Sequence, residues 1–283
     1  MRRLLTLLVA ATAITGCGGS DAPDNAPENA AAPAAAPALT LTRLDCGSVL
    51  VEDFSASFSD QEIYPHGQKR LTDSCYLIDH HGQLLLWDTG LTAQLKGRPT
   101  DIGGMVASLD ATLPEQLATL GLKPADIDIV GISHMHADHT GQAAQFPSAK
   151  LVVGKKDFEQ AAGKDDPFGP WRSQGMPVTL LSGDHDIFGD GTVTVLHMPG
   201  HTPDHLTLLV RLASGPVLLS GDLYHAAEAR VKRGVPPFNT DRQQTLAAMD
   251  RFERLAKELN AKVVIQHEPA DIAKLPAFPQ SAK

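Results

Sequence analysis

Short runs of apolar and β-branched residues, separated by Gly, Pro, Asn and Asp clusters, predict strands along most of the chain after residue 38. Leu39 to Leu44 and Ser48 to Val51 make two short strands around Cys46-Gly47. Thr72 to Asp79 and Gln83 to Trp87 make two more, joined in a hairpin turn at His80-His81-Gly82. Ile127 to Ile132 and Leu151 to Val153 follow, and then Thr192 to Met198, Leu206 to Leu212, Val217 to Ser220 and Lys262 to Gln266. A helical spacing appears in three places. Leu113 to Leu120 has Pro114 in its first turn and Gly121 after its end. Lys155 to Ala162 is short. Asp241 to Leu259 is the longest, with Leu246, Met249, Phe252, Leu255 and Leu259 on one stripe. Glu52 to Arg70 and Gly163 to Gly175 follow no period and read as loops. The aromatics of the first, Phe54, Phe58 and Tyr64, either line a substrate mouth or cap the core.

The densest chemistry falls between the Ile127–Ile132 strand and a helix able to start in Thr140 to Phe146. Ile132-Ser-His-Met-His-Ala-Asp-His-Thr-Gly141 puts four potential metal ligands, His134, His136, Asp138 and His139, on a strand-to-helix loop. In extended backbone, side chains two residues apart point the same way, so His134 and His136 can share one cation. Asp138 and His139 come where the chain turns and could hold a second. Imidazole with carboxylate suits zinc or a similar divalent ion.

This motif resembles that of the metallo-β-lactamase superfamily, whose α+β fold is a four-layer αββα sandwich with one or two metals at the sheet edge. The family's remaining ligands, a distant His, an Asp and a final His, have counterparts in His201 (Pro-Gly-His-Thr-Pro), Asp222 (Ser-Gly-Asp) and His267 (Gln-His-Glu). The resemblance runs from about Leu41 to the C-terminus, and strands followed by helices in each half suit the family's duplicated architecture. It implies a first ion on His134, His136 and His201, a second on Asp138, His139 and His267, and Asp222 bridging both, with a hydroxide between two zinc ions as nucleophile. It also places Asp88, in Asp88-Thr89-Gly90, beneath the metal loop as a support; capping a turn is the other reading of that residue. No Gly-x-Ser-x-Gly elbow offers a serine nucleophile instead.

Asp at position 222 resembles lactonases, glyoxalase-type thioesterases and phosphodiesterases rather than β-lactamases proper, which carry Cys or Ser there. The stretches Leu84 to Leu91, Gly221 to His225 and Pro237 to Arg242 resemble the N-acyl homoserine lactonase branch. The implied activity is opening of cyclic esters; the alternatives are a β-lactamase-like or other ester or thioester hydrolase, and a non-catalytic metal-binding relative. Two departures stand out. Those lactonases often carry a Tyr three residues after the bridging Asp, where this chain has His225, with Tyr224 one residue earlier. Their Gly-Gly after the metal loop is Gly141-Gln142 here. Asp138, His225 and Tyr224 are therefore the candidates for handling the leaving-group proton. An imidazole can pass a proton, whereas a phenol mostly donates a hydrogen bond. His66, His80, His81, His185, His197 and His205 are read as surface or packing residues.

Composition adds a location and removes one partner class. The chain has 283 residues, of which about 240 can fold as one large domain or two fused halves. The net charge of −9 becomes −11 without residues 1–16, which carry Arg2 and Arg3 and no acid. That excludes a nucleic acid, whose phosphates need a basic face. Leu4 to Ile14 is an apolar run too short to span a bilayer, and Ile14-Thr15-Gly16-Cys17 resembles the lipobox of bacterial lipoproteins. The expectation is a signal peptide over 1–16, a lipid on Cys17 as the only membrane attachment, an Ala/Pro-rich tether over 17–38 and the hydrolase domain over 39–283. Gly18 after the Cys resembles outer-membrane sorting on the periplasmic side. An oxidising compartment permits a disulfide between Cys46 and Cys75, both flanking predicted strands.

Overall fold

The computed structural model describes residues 39–283; the expected signal peptide and tether lie outside them. The first sheet has eight strands: β1 (Thr40–Val51), β2 (Lys69–His80), β3 (Gln83–Trp87), β4 (Thr100–Asp101), β5 (Met105–Ser108), β6 (Ile129–Gly131), β7 (Lys150–Gly154) and β8 (Val178–Leu181). They lie in the order β4-β5-β1-β2-β3-β6-β7-β8. The second has five: β9 (His185–Asp186), β10 (Val193–His197), β11 (Leu206–Leu212), β12 (Gly215–Leu219) and β13 (Lys262–Val264), in the order β13-β12-β11-β10-β9. The helices are α1 (Phe54–Phe58), α2 (Leu113–Thr119), α3 (Ala137–Thr140), α4 (Lys155–Gln160), α5 (Gly169–Gln174), α6 (Ala227–Lys232), α7 (Arg242–Glu258) and α8 (Pro269–Ile272). None of the described helices is long and apolar enough to cross a membrane.

Strand alternation builds the layers. Tyr76, Ile78, Leu85, Trp87, Ile129 and Val152 of the first sheet pack against Val193, Val195, Leu206, Leu208, Val210 and Leu219 of the second. Their neighbours in sequence face outward. Cys75, Leu77, Leu86, Val130 and Val153 meet Leu113 and Leu117 of α2 with Phe146, Phe168 and Trp171. Leu196, Leu209, Leu218 and Val263 meet Ala248, Met249 and Phe252 of α7. The period of two thus feeds a buried cluster on both faces of each sheet, with helices outside. This is the expected four-layer αββα arrangement.

Several elements differ from expectation. The two short strands around Cys46-Gly47 are one twelve-residue strand, β1, in which a bulge at Asp45/Gly47 shifts the register. Within the expected Glu52–Arg70 loop lies α1, started by Asp53, whose carboxylate accepts from the Ser55 and Ala56 amides. Five residues are too few to show a helical period. α5 lies in the expected Gly163–Gly175 loop, with Pro170 in its first turn and Gly175 at φ 64° ending it. The helix expected from Thr140 begins earlier, at Ala137, so α3 itself carries Asp138 and His139. The helix expected over Lys155 to Ala162 is α4, which ends at Gln160, and the long α7 stands as read, with the Asp241 carboxylate capping it at the Gln244 amide.

Cys46 and Cys75 are joined, their Cα atoms 5.7 Å apart, linking β1 to β2 beneath the turn at Gly90. The bond closes a loop of 29 residues. On a chain-entropy estimate it stabilises the fold by about 3.6 kcal/mol. The Cys46→Ala/Cys75→Ala protein should show that loss in urea unfolding. Denatured, unreduced protein should show no free thiol from either position, and two such thiols would disprove the pairing.

Candidate metal centre

Four strands end at one edge of the sandwich, and the segments after them bring the candidate ligands together. The loop after β6 carries His134 and His136, and α3 carries Asp138 and His139. His201 follows β10, Asp222 lies in the 3-10 turn Gly221–Leu223 after β12, and His267 follows β13. Ligand atoms of His134, His136, His201 and Asp222 all lie within 4.8 Å of one another, as do those of Asp138, His139, Asp222 and His267. Asp222 belongs to both groups and offers one oxygen to each. Its Oδ2 lies 3.6 Å from His134 Nε2 and 3.4 Å from His201 Nε2, while its Oδ1 lies 3.1 Å from His139 Nε2 and 2.9 Å from His267 Nε2. His136 Nδ1 completes the first group, 2.9 Å from His134 Nε2 and 3.0 Å from His201 Nε2. The pairing of His134 with His136, expected from their spacing, is what the loop delivers. Asp138 Oδ2 lies 3.8 Å from His139 Nε2 and 3.9 Å from His267 Nε2.

The far nitrogens are held from behind. His139 Nδ1 meets Asp88 Oδ2 at 3.0 Å. The Ser133 hydroxyl donates to that same carboxylate, at 2.8 Å, and so accepts from His134 Nδ1–H. His267 Nδ1–H donates to the Thr72 carbonyl at 2.7 Å. Each of these bonds fixes a tautomer and leaves Nε2 for the site. Asp88 sits at φ 59° in the turn after β3 and also accepts from the Ser133 amide, so it supports the loop, as the resemblance implied. α3 leans on that turn so closely that a Cβ at Gly141 would come 2.4 Å from the Thr92 nitrogen. Gln142, at the second position of the family's Gly-Gly, is buried and stitches two segments together. Its Nε2 donates to the Leu91 carbonyl and its Oε1 accepts from the Leu113 amide at the start of α2.

The electrostatics fit two cations. Burial, with neighbouring imidazoles, holds His134 and His201 well below the ordinary histidine value, in the neutral form that ligates a metal. Burial works the same way on His139 and His267. There it is outweighed by Asp222 and Asp138, so His139 stands well above the ordinary value and His267 at about 9. Burial would raise Asp222, but His139, His267, His225 and His134 hold it well below the usual carboxylate range. The second group therefore attracts positive charge. His139 Nε2 is buried in the midst of it, beside Asp222 Oδ1 at 3.1 Å but with no well-directed hydrogen bond among the described residues. A divalent ion at each group satisfies these demands, and the His/Asp donor set is one that zinc accepts.

The two candidates after Asp222 separate. His225 Nε2 lies 3.0 Å from Asp222 Oδ2, and the ring packs between Phe58 and Phe238. Tyr224 points the other way: its hydroxyl donates to Glu253 at 3.0 Å and its ring packs on Phe252. Strand-like alternation explains the split, since Tyr224 has extended dihedrals. Tyr224 is thus removed from the site. His205, read as a packing residue, is buried and does more. Burial pushes its pKa to about 4, Nδ1–H donates to the Met198 carbonyl, and Nε2 accepts from the Asp222 amide at 3.0 Å. No spacing rule marks such a residue in the sequence.

The donor groups open into a cavity of about 430 Å³. His136, Asp138, Asp222, His225 and His267 form its polar end, and Val49, Phe58, Leu71, Leu91, Ile102, Met105, Ala107 and Phe238 its apolar walls. The aromatics of the segment after β1 divide between the two readings: Phe54 and Tyr64 pack in the core, and Phe58 lines the mouth.

A sandwich of this topology with two His/Asp groups sharing one Asp defines a dinuclear metal-dependent hydrolase. Residues 70–267 match the Metallo-beta-lactamase superfamily, and the chain belongs to it. Among curated proteins it is 31% identical over 224 residues to the N-acyl homoserine lactonase AttM of Rhizobium radiobacter, covering 72% of this chain and 85% of that one. Among solved structures it is similar to an N-acyl homoserine lactone hydrolase with N-hexanoyl-L-homoserine bound at its catalytic metal center. The TM-score is 0.74 at 21% identity, covering 86% of this chain and 98% of that one. It is also similar to AidC, a dizinc quorum-quenching lactonase, with a TM-score of 0.60 at 18% identity, covering 86% and 89%.

Asp88 carries the test of the support. Asp88→Asn keeps the size and one accepting oxygen, but replaces the oxygen that meets the Ser133 hydroxyl and His139 Nδ1 with an NH2 group. Zinc affinity in chelator competition should fall about 10- to 100-fold. Wild-type affinity would show that Ser133 and the loop backbone suffice.

Proposed function

We propose that the chain hydrolyses the ester bond of lactones, N-acyl homoserine lactones foremost. The observation that carries this is the cavity: one end is the shared His/Asp floor, the walls are apolar, and no Lys or Arg lines it among the described residues. A neutral lactone ring with an alkyl chain suits such a site. β-Lactams and glutathione thioesters carry a carboxylate that would find no Lys or Arg on these walls. The likeness to AttM supports the same choice.

In this reading His134, His136 and His201 would hold one ion and Asp138, His139 and His267 the other, with Asp222 offering one oxygen to each group. When bound, the ions supply a water acidic enough to deprotonate near neutral pH and polarise the ester carbonyl. The chain's own side chains do the rest. Water oxygen adds to the carbonyl carbon as the water gives up a proton, the ring C–O bond breaks, and the leaving alkoxide takes a proton back. Asp138, partly exposed at the cavity, and His225 are the groups placed to hold one there. Phe58 and Phe238 flank His225 and limit water around it.

Metal-loaded protein offered acyl homoserine lactones, β-lactams, thioesters and phosphodiesters should turn over the lactones fastest. His225→Ala should lower kcat on them about 10²-fold, in the range of general acid–base catalysis, with metal content unchanged. Tyr224→Phe should stay close to wild type. Faster turnover of an anionic β-lactam or thioester would overturn the assignment.

We propose further that the protein is exported and held on the periplasmic side, at the outer membrane, by a lipid on Cys17. The lipobox at Ile14 to Cys17 supports this. Cys17→Ser should move the protein from the membrane to the soluble fraction, and an unchanged distribution with normal export would refute it.

A further inference from the structure

The buried carboxylate of Asp157, at the start of α4, contacts neither donor group and has no part in the chemistry above. Its bonds run to both ligand-bearing loops. Oδ2 accepts from the Met135 amide at 3.2 Å and from the Thr202 hydroxyl at 2.5 Å, and Oδ1 accepts from the Asp204 amide at 3.0 Å. Met135 stands between His134 and His136, and Thr202 directly follows His201. One rigid group therefore ties the backbone beside all three imidazoles of the first position, from a residue 22 and 45 places away in sequence. The turn is locked a second time. Asp204 Oδ2 accepts from the Lys156 amide at 2.8 Å, and Asp204 Oδ1 meets His197 Nε2 at 2.9 Å. α4 and this turn pack so closely that a Cβ on Gly154 would come 2.4 Å from the Asp204 carbonyl oxygen.

We infer that Asp157 is a positioning residue for the first metal position, setting the separation of His134 and His136 from His201. No other carboxylate on α4 could do this, because the side chain must reach both loops at once with no solvent between. The second position does not depend on it. Asp138 and His139 are fixed through Asp88 and Gly90, and His267 through Thr72. Loss of Asp157 should therefore weaken one ion and spare the other, which a general packing role would not do.

The inference rests on the ligand assignment proposed above, and the experiment separates the two. His267→Ala and His201→Ala are made first; each should lower zinc content from two equivalents to one. Failure of either to do so sinks the ligand assignment. Asp157→Asn is then added to each, and zinc affinity is measured by chelator competition. In the His267→Ala background, where the first position remains, affinity should fall about 10- to 100-fold. In the His201→Ala background it should stay at the parent value. Equal losses in both, or no loss in the first, would overturn the positioning role even with the ligand assignment intact. If Asp157→Asn fails to fold, Thr202→Val, which removes one donor and keeps the shape, decides in the same two backgrounds: a loss confined to the first supports the role, and an equal or absent loss overturns it.

Discussion

Burying a carboxylate costs several kcal/mol unless donors or positive charge meet it, and the site end of this fold is arranged around one such group. Asp222 is 3% exposed. Both its oxygens face imidazoles, and its amide is held by His205. The segments that follow β6, β10, β12 and β13 all reach it. The two sheets supply them from opposite sides, so the carboxylate sits where the sandwich halves meet. Gly221 allows the tight turn, at φ 49°, and a Cβ there would come 2.8 Å from His205 Nε2. The turn that carries Asp222 and the charges of the imidazoles around it depend on that one oxygen pair being satisfied.

The sheets and the metal ligands were legible because both leave short, regular signatures. Strands buried on both faces read as continuous apolar runs, and β2, β3, β10, β11 and β12 were each visible for that reason. His134, His136, Asp138 and His139 crowd into six residues because one loop must supply ligands to two groups. What stayed hidden has equally physical causes. α1, α5 and α6 are only five or six residues long, so little periodicity can show in them. β4 and β5 form a small exposed-edge hairpin around Gly103-Gly104, where alternation is weak. Asp157 and His205 act through backbone amides of distant segments, and no local spacing encodes such a partner.

The substrate side is harder to read than the metal side for a related reason. A metal needs a few fixed donors, and their types survive in the sequence. The apolar wall of the cavity takes one or two residues each from β1, α1, β2, β5 and the loops holding Leu91, Ile102 and Phe238. No segment contributes enough of it to form a pattern. The split between Tyr224 and His225 shows the limit most sharply. One residue of register separates a side chain bonded to Glu253 on α7 from one facing Asp222. Only the extended backbone at Tyr224 decides between them.

Three buried carboxylates within this end of the fold are stabilised in three ways. Asp157 meets neutral donors from two backbone amides and a hydroxyl, so it needs no ion and serves as a fixed anchor. Asp222 meets imidazoles that a metal can replace as partners, so its low pKa marks the place for a cation. Asp73, on β2 beside the Thr72 carbonyl that holds His267, meets no donor among the described residues. Burial and then the charge of Asp138 push it well above the ordinary carboxylate range, which favours its neutral form. Burial is common to all three and tells little about role. What surrounds the oxygens distinguishes an anchor from a ligand from a neutral acid. By that criterion the chain's Asp residues, alike in the sequence, take up separate tasks once the sandwich closes.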